Sequence, residues 1–145
     1  MKRFDLMYLE LLNSDLLTPE MRENLNHVDV REEFYEKTRF NEINSYEIAY
    51  ACFEIAITQN IEFSINNLIN AFNVVSPKHR VLIKDYLDDK TIKLINEYKD
   101  QTEIYILIEL TQAHHYFDYT AGFNPNKKIW LKHKVVSHII QKFKN

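Results

Sequence analysis

Glycine is almost absent from this chain. Gly122 is the one glycine in 145 residues, where average usage would give roughly ten. The sequence has no Gly-x-Gly-x-x-Gly and no Gly-Lys-Ser/Thr motif, which excludes a P-loop or a glycine-rich dinucleotide loop. It also lacks the Gly-x-Ser-x-Gly of a nucleophile elbow. Because tight hairpins need glycine at their positive-φ positions, its scarcity favours helices joined by short connections.

Cysteine and long apolar runs are equally scarce. Cys52 is the lone cysteine, so the chain forms no internal disulfide. It lies in an apolar stretch, where we expect a buried and unreactive thiol. No apolar run reaches the roughly 20 residues of a membrane span, and the charged N-terminus lacks the apolar core of a secretory signal. These absences predict a cytoplasmic protein that does not enter a membrane.

Apolar side chains are nevertheless plentiful. Hydrophobic residues make up 46% of the chain and aromatic residues 13%, a composition typical of a folded globular protein. A chain of 145 residues buries about 70% of its unfolded surface, enough for a core without disulfides or metal. Because no linker-like stretch divides the sequence, we predict a single helical domain over residues 1–145.

Capping signals mark the helix starts. Thr18-Pro19, Ser76-Pro77 and Asn124-Pro125 each place a capping side chain before a proline at the first helical position. Between such signals, apolar residues recur every three to four positions. The predicted helical segments are 3–13, 19–27, 30–40, 46–59, 62–73, 77–87, 90–98, 101–120 and 125–143. We therefore predict an all-α fold, either a compact irregular bundle or a short stack of about 8–9 antiparallel helices.

Local patterns refine this fold. Segment 46–59 is apolar on nearly every side, so we expect it at the centre. Residues 104–108 have strong strand propensity, but they follow a capping box of Asp100 and Glu103 without a break, which favours a helix. Gly122 then stands in the position of a left-handed C-cap. Further caps are expected at Ser45 and Asp89.

Charge is distributed unevenly along the chain. Residues 1–62 carry thirteen acidic and six basic side chains, whereas residues 125–145 carry six lysines and no acid. This polarity either steers a charged partner towards one end of the molecule or holds an acidic body against a basic last helix. Both interpretations stay open.

Histidines are the first candidates for a metal centre. His114, His115 and Asp118 lie on one predicted helix and His133 on the next. Adjacent histidines point about 100° apart on a helix, and zinc needs three or four converging ligands. The sequence has no His-Glu-x-x-His or Glu-x-x-His motif, so we expect no metal and no other cofactor. A metal-dependent enzyme using these four residues is the first alternative.

The second alternative is a phage or plasmid regulator that binds nucleic acid through the last helix. Lysines there would contact phosphates: Lys127, Lys128, Lys132, Lys134, Lys142 and Lys144. The helix has no arginine, the side chain that makes most bidentate base contacts. The acidic body would also repel a phosphate backbone, so nucleic-acid binding is not expected.

Acidic and aromatic side chains cluster in two stretches. One holds Glu32, Glu33, Tyr35 and Glu36, and the other holds Asp85, Tyr86, Asp88 and Asp89. We expect Tyr35 and Tyr86 at the surface, with Phe34 and Phe40 in the core. The carboxylates look solvated, so we assign no catalytic residue. Such a face suits a basic protein partner, because carboxylates steer the encounter and rings supply contact area.

This profile of a small, acidic, helical chain without a reaction centre resembles the bacterial immunity proteins and antitoxins, including those paired with contact-dependent inhibition toxins. The resemblance implies that the protein is not an enzyme and that it neutralises a cognate toxin. Many such toxins are basic nucleases. Their inhibitors fill the active-site cleft with acidic and aromatic side chains that replace the phosphates of the substrate. The 32–36 stretch, or the 85–89 stretch, would then be the docking face.

Overall fold

All regular secondary structure in the described part of the chain is helical. The computed structural model describes residues 3–13 and 17–119, except the side chains of Arg3, Phe4, Met21, Asn24, 28–30 and 114–119. The helices in these ranges are α1 (Arg3–Leu12), α2 (Pro19–Leu25), α3 (Val28–Thr38), α4 (Tyr46–Thr58), α5 (Ile61–Val75), α6 (Asp89–Glu97) and α7 (Gln101–Tyr119). Short 3₁₀ turns occur at Phe40–Glu42 and Pro77–His79, and no strand occurs in the described ranges. The all-α class is confirmed, but these seven α-helices are fewer than the eight to nine predicted.

Side-chain caps fix where several helices begin. Ser45 caps α4, as the sequence predicts, and Asn60 caps α5. Asp88, rather than the predicted Asp89, caps α6, where its carboxylate accepts a hydrogen bond from the Thr91 amide. Each cap satisfies an amide that has no partner inside its helix.

Helix α4 lies at the centre, as its apolar sequence predicts. All of residues 48–56 except Tyr50 are buried, and α5 and α7 pack against it. The Ser64 hydroxyl of α5 donates a hydrogen bond to the Cys52 carbonyl. Cys52 is fully buried, as expected, and burial raises the pKa of its thiol. The thiol is therefore protonated near neutral pH and is a poor nucleophile.

Tyr8 joins the N-terminal helices to this core. Its ring lies 5.4 Å from the Phe53 ring, between centroids, and packs edge-on against Tyr35 at 6.2 Å. Its hydroxyl donates to the Leu25 carbonyl, and burial raises its pKa to about 12. One side chain of α1 therefore contacts α2, α3 and α4.

Residues 104–108 are helical in spite of their strand propensity, because they form part of α7. The Asp100 carboxylate accepts the Glu103 amide at 3.3 Å, and Ile104 and Ile108 are buried in the core. No helix within the described ranges is long and apolar enough to cross a bilayer. Gly122 and the predicted helix 125–143 lie outside the described residues.

Residues 77–87 do not form the helix that the sequence predicts. Pro77–His79 make a single 3₁₀ turn, and residues 80–88, here called the 80–88 segment, run without regular structure to α6. The Ser-Pro signal therefore starts a turn that is not continued.

Two side chains explain why the helix stops. Asn73 bonds both the amide and the carbonyl of Val81, each at 2.8 Å. Arg39 donates from Nη1 to the Leu87 carbonyl at 3.0 Å. Because these bonds occupy backbone groups that a helix would pair within itself, tertiary contacts override the local helical pattern.

Candidate functional site

A groove of about 500 Å³ lies where the end of α3, the start of α5 and the 80–88 segment meet. We call it the acidic groove. Its lining residues are Glu36, Lys37, Arg39, Ile61, Glu62, Asp85, Tyr86 and Leu87. One predicted stretch enters the groove through Glu36, and the other enters it through Asp85 and Tyr86. The two stretches thus flank one surface instead of forming two separate faces.

Lys37, one of the two cations of the groove, is neutralised within α3. Its Nζ lies 2.6 Å from a carboxylate oxygen of Glu33, one helical turn earlier. This hydrogen bond raises the pKa of Lys37 above its usual value. Both side chains are exposed, so the pair contributes little to stability, but it cancels the charge of Lys37 locally.

Arg39, the other cation, is held by carboxylates on two elements. Its guanidinium bonds both carboxylate oxygens of Glu42, at 2.5 and 2.9 Å, and Asp89 Oδ1 at 2.7 Å. These bonds raise the pKa of Arg39, and the guanidinium lowers the pKa of Glu42. Because a fourth bond reaches the Leu87 carbonyl, Arg39 is neutralised by its carboxylate partners and also ties α3 to the 80–88 segment.

Three carboxylates remain in the groove once these pairs are counted. Glu36, Glu62 and Asp85 are exposed, and none forms an ion pair with another described residue. They come from α3, α5 and the 80–88 segment. Glu62 also interacts through its charge with Lys37, but the carboxylates of the groove and of its two ion-paired cations outnumber those cations. The groove would therefore attract a cationic surface.

Tyr86 is the aromatic side chain of this groove. It is 59% exposed, as the sequence predicts, and Lys84 Nζ lies 5.0 Å from its ring centroid. Lys84 also pairs with Asp88. The ammonium therefore orients the ring while its charge is met by a carboxylate.

Tyr35 does not lie where the sequence predicts. It is half-buried on α3, and its hydroxyl donates to Asp5 Oδ1 at 2.8 Å. Burial, followed by this bond, raises the pKa of Tyr35. Its neighbour Glu32 is exposed one turn before Glu36. Of the rings expected in the core, Phe40 is fully buried, and the half-buried Phe34 packs edge-on against Phe53.

Asp88 and Asp89 serve contacts within the chain. Asp88 accepts from Lys84 and from the Thr91 amide, and these bonds hold the pKa of its carboxyl well below its usual range. Asp89 pairs with Arg39. Of the four acidic or aromatic residues in this stretch, Asp85 and Tyr86 alone line the groove.

Sequence reasoning missed Ile61 and Glu62, which complete the groove. Glu62 stands in the first turn of α5, a place where an acid interacts favourably with the helix dipole, so its local pattern gave no functional signal.

The acidic side chains of Glu54 and Glu109 were missed as well. Both are buried, on α4 and α7, within apolar stretches that predict core. Burial raises the pKa of Tyr105, and the nearby carboxylates of Glu109, Glu47 and Glu54 raise it further.

A second concavity of about 500 Å³ lies between the end of α5 and the end of α6, with Phe72, Ser76, His79 and Tyr98 in its lining. Ser76 Oγ and His79 Nδ1 are 3.3 Å apart in one 3₁₀ turn. Nucleophilic catalysis also needs a group that orients the histidine ring, and among the described residues no side chain other than Ser76 bonds the His79 ring. We assign no chemistry to this pair.

The residues of the two alternative functions mostly lie outside the described part of the chain. This applies to the side chains of His114, His115 and Asp118, and to all of His133 and the six C-terminal lysines. Among the described residues, no group of three His, Cys, Asp or Glu side chains could hold a metal ion.

Comparison of the chain with protein-family models, curated proteins and solved structures gives no match. The functional assignment therefore depends on the composition and geometry of the acidic groove.

Proposed function

We propose that this protein is a binding protein of the immunity or antitoxin type, which neutralises a basic toxin by contact. The observation that carries the proposal is the acidic groove. Glu36, Glu62 and Asp85, which form no ion pair among the described residues, line this groove together with the exposed ring of Tyr86. A cationic cleft that normally binds phosphates would be complementary to this arrangement.

The two cations of the groove do not oppose such a partner. Lys37 is paired with Glu33, and Arg39 is paired with Glu42 and Asp89. Each cation is thus paired with at least one carboxylate, and the net charge of this surface remains negative. Long-range attraction would speed the encounter, and the desolvated ring of Tyr86 would slow dissociation.

Charge reversal in the groove tests this function. The partner for the assay is the purified product of the adjacent gene, and the variant is Glu36→Lys/Asp85→Lys. We expect its association rate constant to fall roughly tenfold or more at low ionic strength, with a flatter dependence on salt. Stopped-flow association at several salt concentrations measures both quantities.

The matched control is Glu20→Lys/Glu23→Lys on α2, which changes the net charge equally at two exposed positions outside the groove. We expect this control to slow association much less. If the two variants slow association equally, net charge acts without a defined face. If the natural protein does not bind the adjacent gene product, the proposed function is wrong.

A further inference from the structure

The 80–88 segment carries apolar side chains that the described part of the fold leaves exposed. Leu82 is 81% exposed, Tyr86 59% and Ile83 46%. Among the described residues none of the three belongs to the hydrophobic core, whereas Leu87 on one side is part of it and Val81 on the other side packs against it. Large apolar side chains grouped at the surface in this way are typical of interaction sites.

The same segment is anchored at both ends. The Asn73 side chain bonds the amide and carbonyl of Val81, and the Arg39 guanidinium bonds the carbonyl of Leu87. Leu87 itself is 2% exposed. Residues 82–86 therefore form a short span between two fixed points. Holding a contact segment in place before binding reduces the entropy lost on association.

Charge around this span restricts what can cover it. Within the span, Lys84 is paired with Asp88, whereas Asp85 forms no ion pair with another described residue and lines the acidic groove together with Glu36 and Glu62. Phosphates of a nucleic acid or of an anionic membrane would be repelled by these carboxylates. A basic protein surface would be attracted, and it can also offer an apolar depression to side chains such as leucine and tyrosine.

We infer that Leu82 and Tyr86 are the anchors of the interface, and that the partner is a basic protein with an apolar pocket, edged by cationic side chains, that receives them. This inference rests on the proposed function and deepens it. The carboxylates of the groove set the rate of encounter, whereas Leu82 and Tyr86 set the lifetime of the complex.

The experiment compares Leu82→Ala/Tyr86→Ala with the control Leu6→Ala, since Leu6 is a 50% exposed leucine on α1. Binding kinetics are measured by surface plasmon resonance against the purified product of the adjacent gene. We expect the anchor variant to dissociate roughly tenfold faster or more, with an association rate constant within about twofold of the natural value. The Leu6 control should match the natural protein in both constants.

Each of the other possible outcomes contradicts a different part of the proposal. Equal dissociation rates for the natural protein and the anchor variant would contradict the anchors while leaving the proposed function intact. No binding by the natural protein would contradict both. If the natural protein sediments as a dimer that Leu82→Ala/Tyr86→Ala converts to a monomer, the patch belongs to a second copy of this chain and the inference is wrong. Circular dichroism of each variant verifies that the helices remain.

Discussion

Helix α4 and the 80–88 segment are both rich in apolar residues, yet they use them in opposite ways. In α4, residues such as Ile48, Phe53 and Ile55 are fully buried. In the 80–88 segment, Leu82 and Tyr86 lie mostly in solvent. The difference shows that an apolar pattern alone does not separate core from contact surface. What separates them here is whether neighbouring helices pack on the segment.

The largest difference between the two regions is expected in stability. Replacing Phe53 with alanine leaves a cavity among Tyr8, Phe34 and the rest of the core. We expect a loss of about 3–5 kcal/mol in the free energy of unfolding. Urea denaturation followed by circular dichroism measures it. A loss below about 1 kcal/mol would mean that α4 is not the centre of the core.

Arg39 lies outside the 80–88 segment but bonds its backbone at Leu87. Its removal therefore tests whether this segment, unlike α4, depends on such an anchor. Arg39→Ala removes its bonds to Glu42, Asp89 and the Leu87 carbonyl. We expect the free energy of unfolding to fall by about 1–2 kcal/mol. Hydrogen exchange should also accelerate in residues 82–87 more than in α4. Unchanged exchange there would contradict the anchoring role.

A second variant at the same position separates bonding from backbone conformation. Arg39 ends α3 in the left-handed region, with φ 54°, where a residue with a Cβ is disfavoured by about 1–2 kcal/mol. Arg39→Gly should therefore be more stable than Arg39→Ala by about 1 kcal/mol. Equal urea midpoints for the two variants would show that the conformation has no cost.

Asp88 should give a smaller effect. Asp88→Ala removes the cap of α6 and is expected to cost about 1 kcal/mol at neutral pH. Because the folded-state pKa of Asp88 is lowered, its stabilisation is present above the unfolded pKa of about 3.9. It is lost as the pH falls through the folded value. The stability difference from the natural protein should therefore shrink on acidification, as urea titrations at pH 7, 4 and 2 would measure. The exposed Asp85→Ala is the control, and a difference that grows in acid would contradict this account.

The smallest effect on stability is expected for the exposed side chains of the 80–88 segment. Leu82→Ala/Tyr86→Ala should change the free energy of unfolding by less than about 0.5 kcal/mol, because surface substitutions away from packed contacts rarely do more. Thermal denaturation of the variant beside the natural protein measures this. A loss above about 1.5 kcal/mol would place these side chains in the core after all.

Helices whose ends are set by local chemistry could be predicted from the sequence. Ser45, Pro19 and Asp100 mark the starts of α4, α2 and α7 as expected. The predicted helix at 77–87 failed for a nonlocal reason. Val81 is held by Asn73, and Leu87 is held by Arg39, which lies 48 residues away in sequence. Periodicity carries no information on such contacts.

The acidic groove could be predicted only in part, for the same reason. Glu36, Asp85 and Tyr86 were identified as acidic or aromatic surface residues, and the fold brings them to one groove. Their meeting with Glu62 depends on how α3 and α5 pack. The burial of the Tyr35 ring depends on Tyr8 and Asp5, about thirty positions earlier in the chain. Local composition therefore indicates what type of surface is present, but not which residues form it.

The most direct test of the contact surface is hydrogen–deuterium exchange of the full chain, with and without the purified product of the adjacent gene. We expect slower exchange on binding in residues 82–87 and in the last turn of α3, with α1 and α2 unchanged. Slower exchange confined to α1 and α2, with residues 82–87 unaffected, would contradict it.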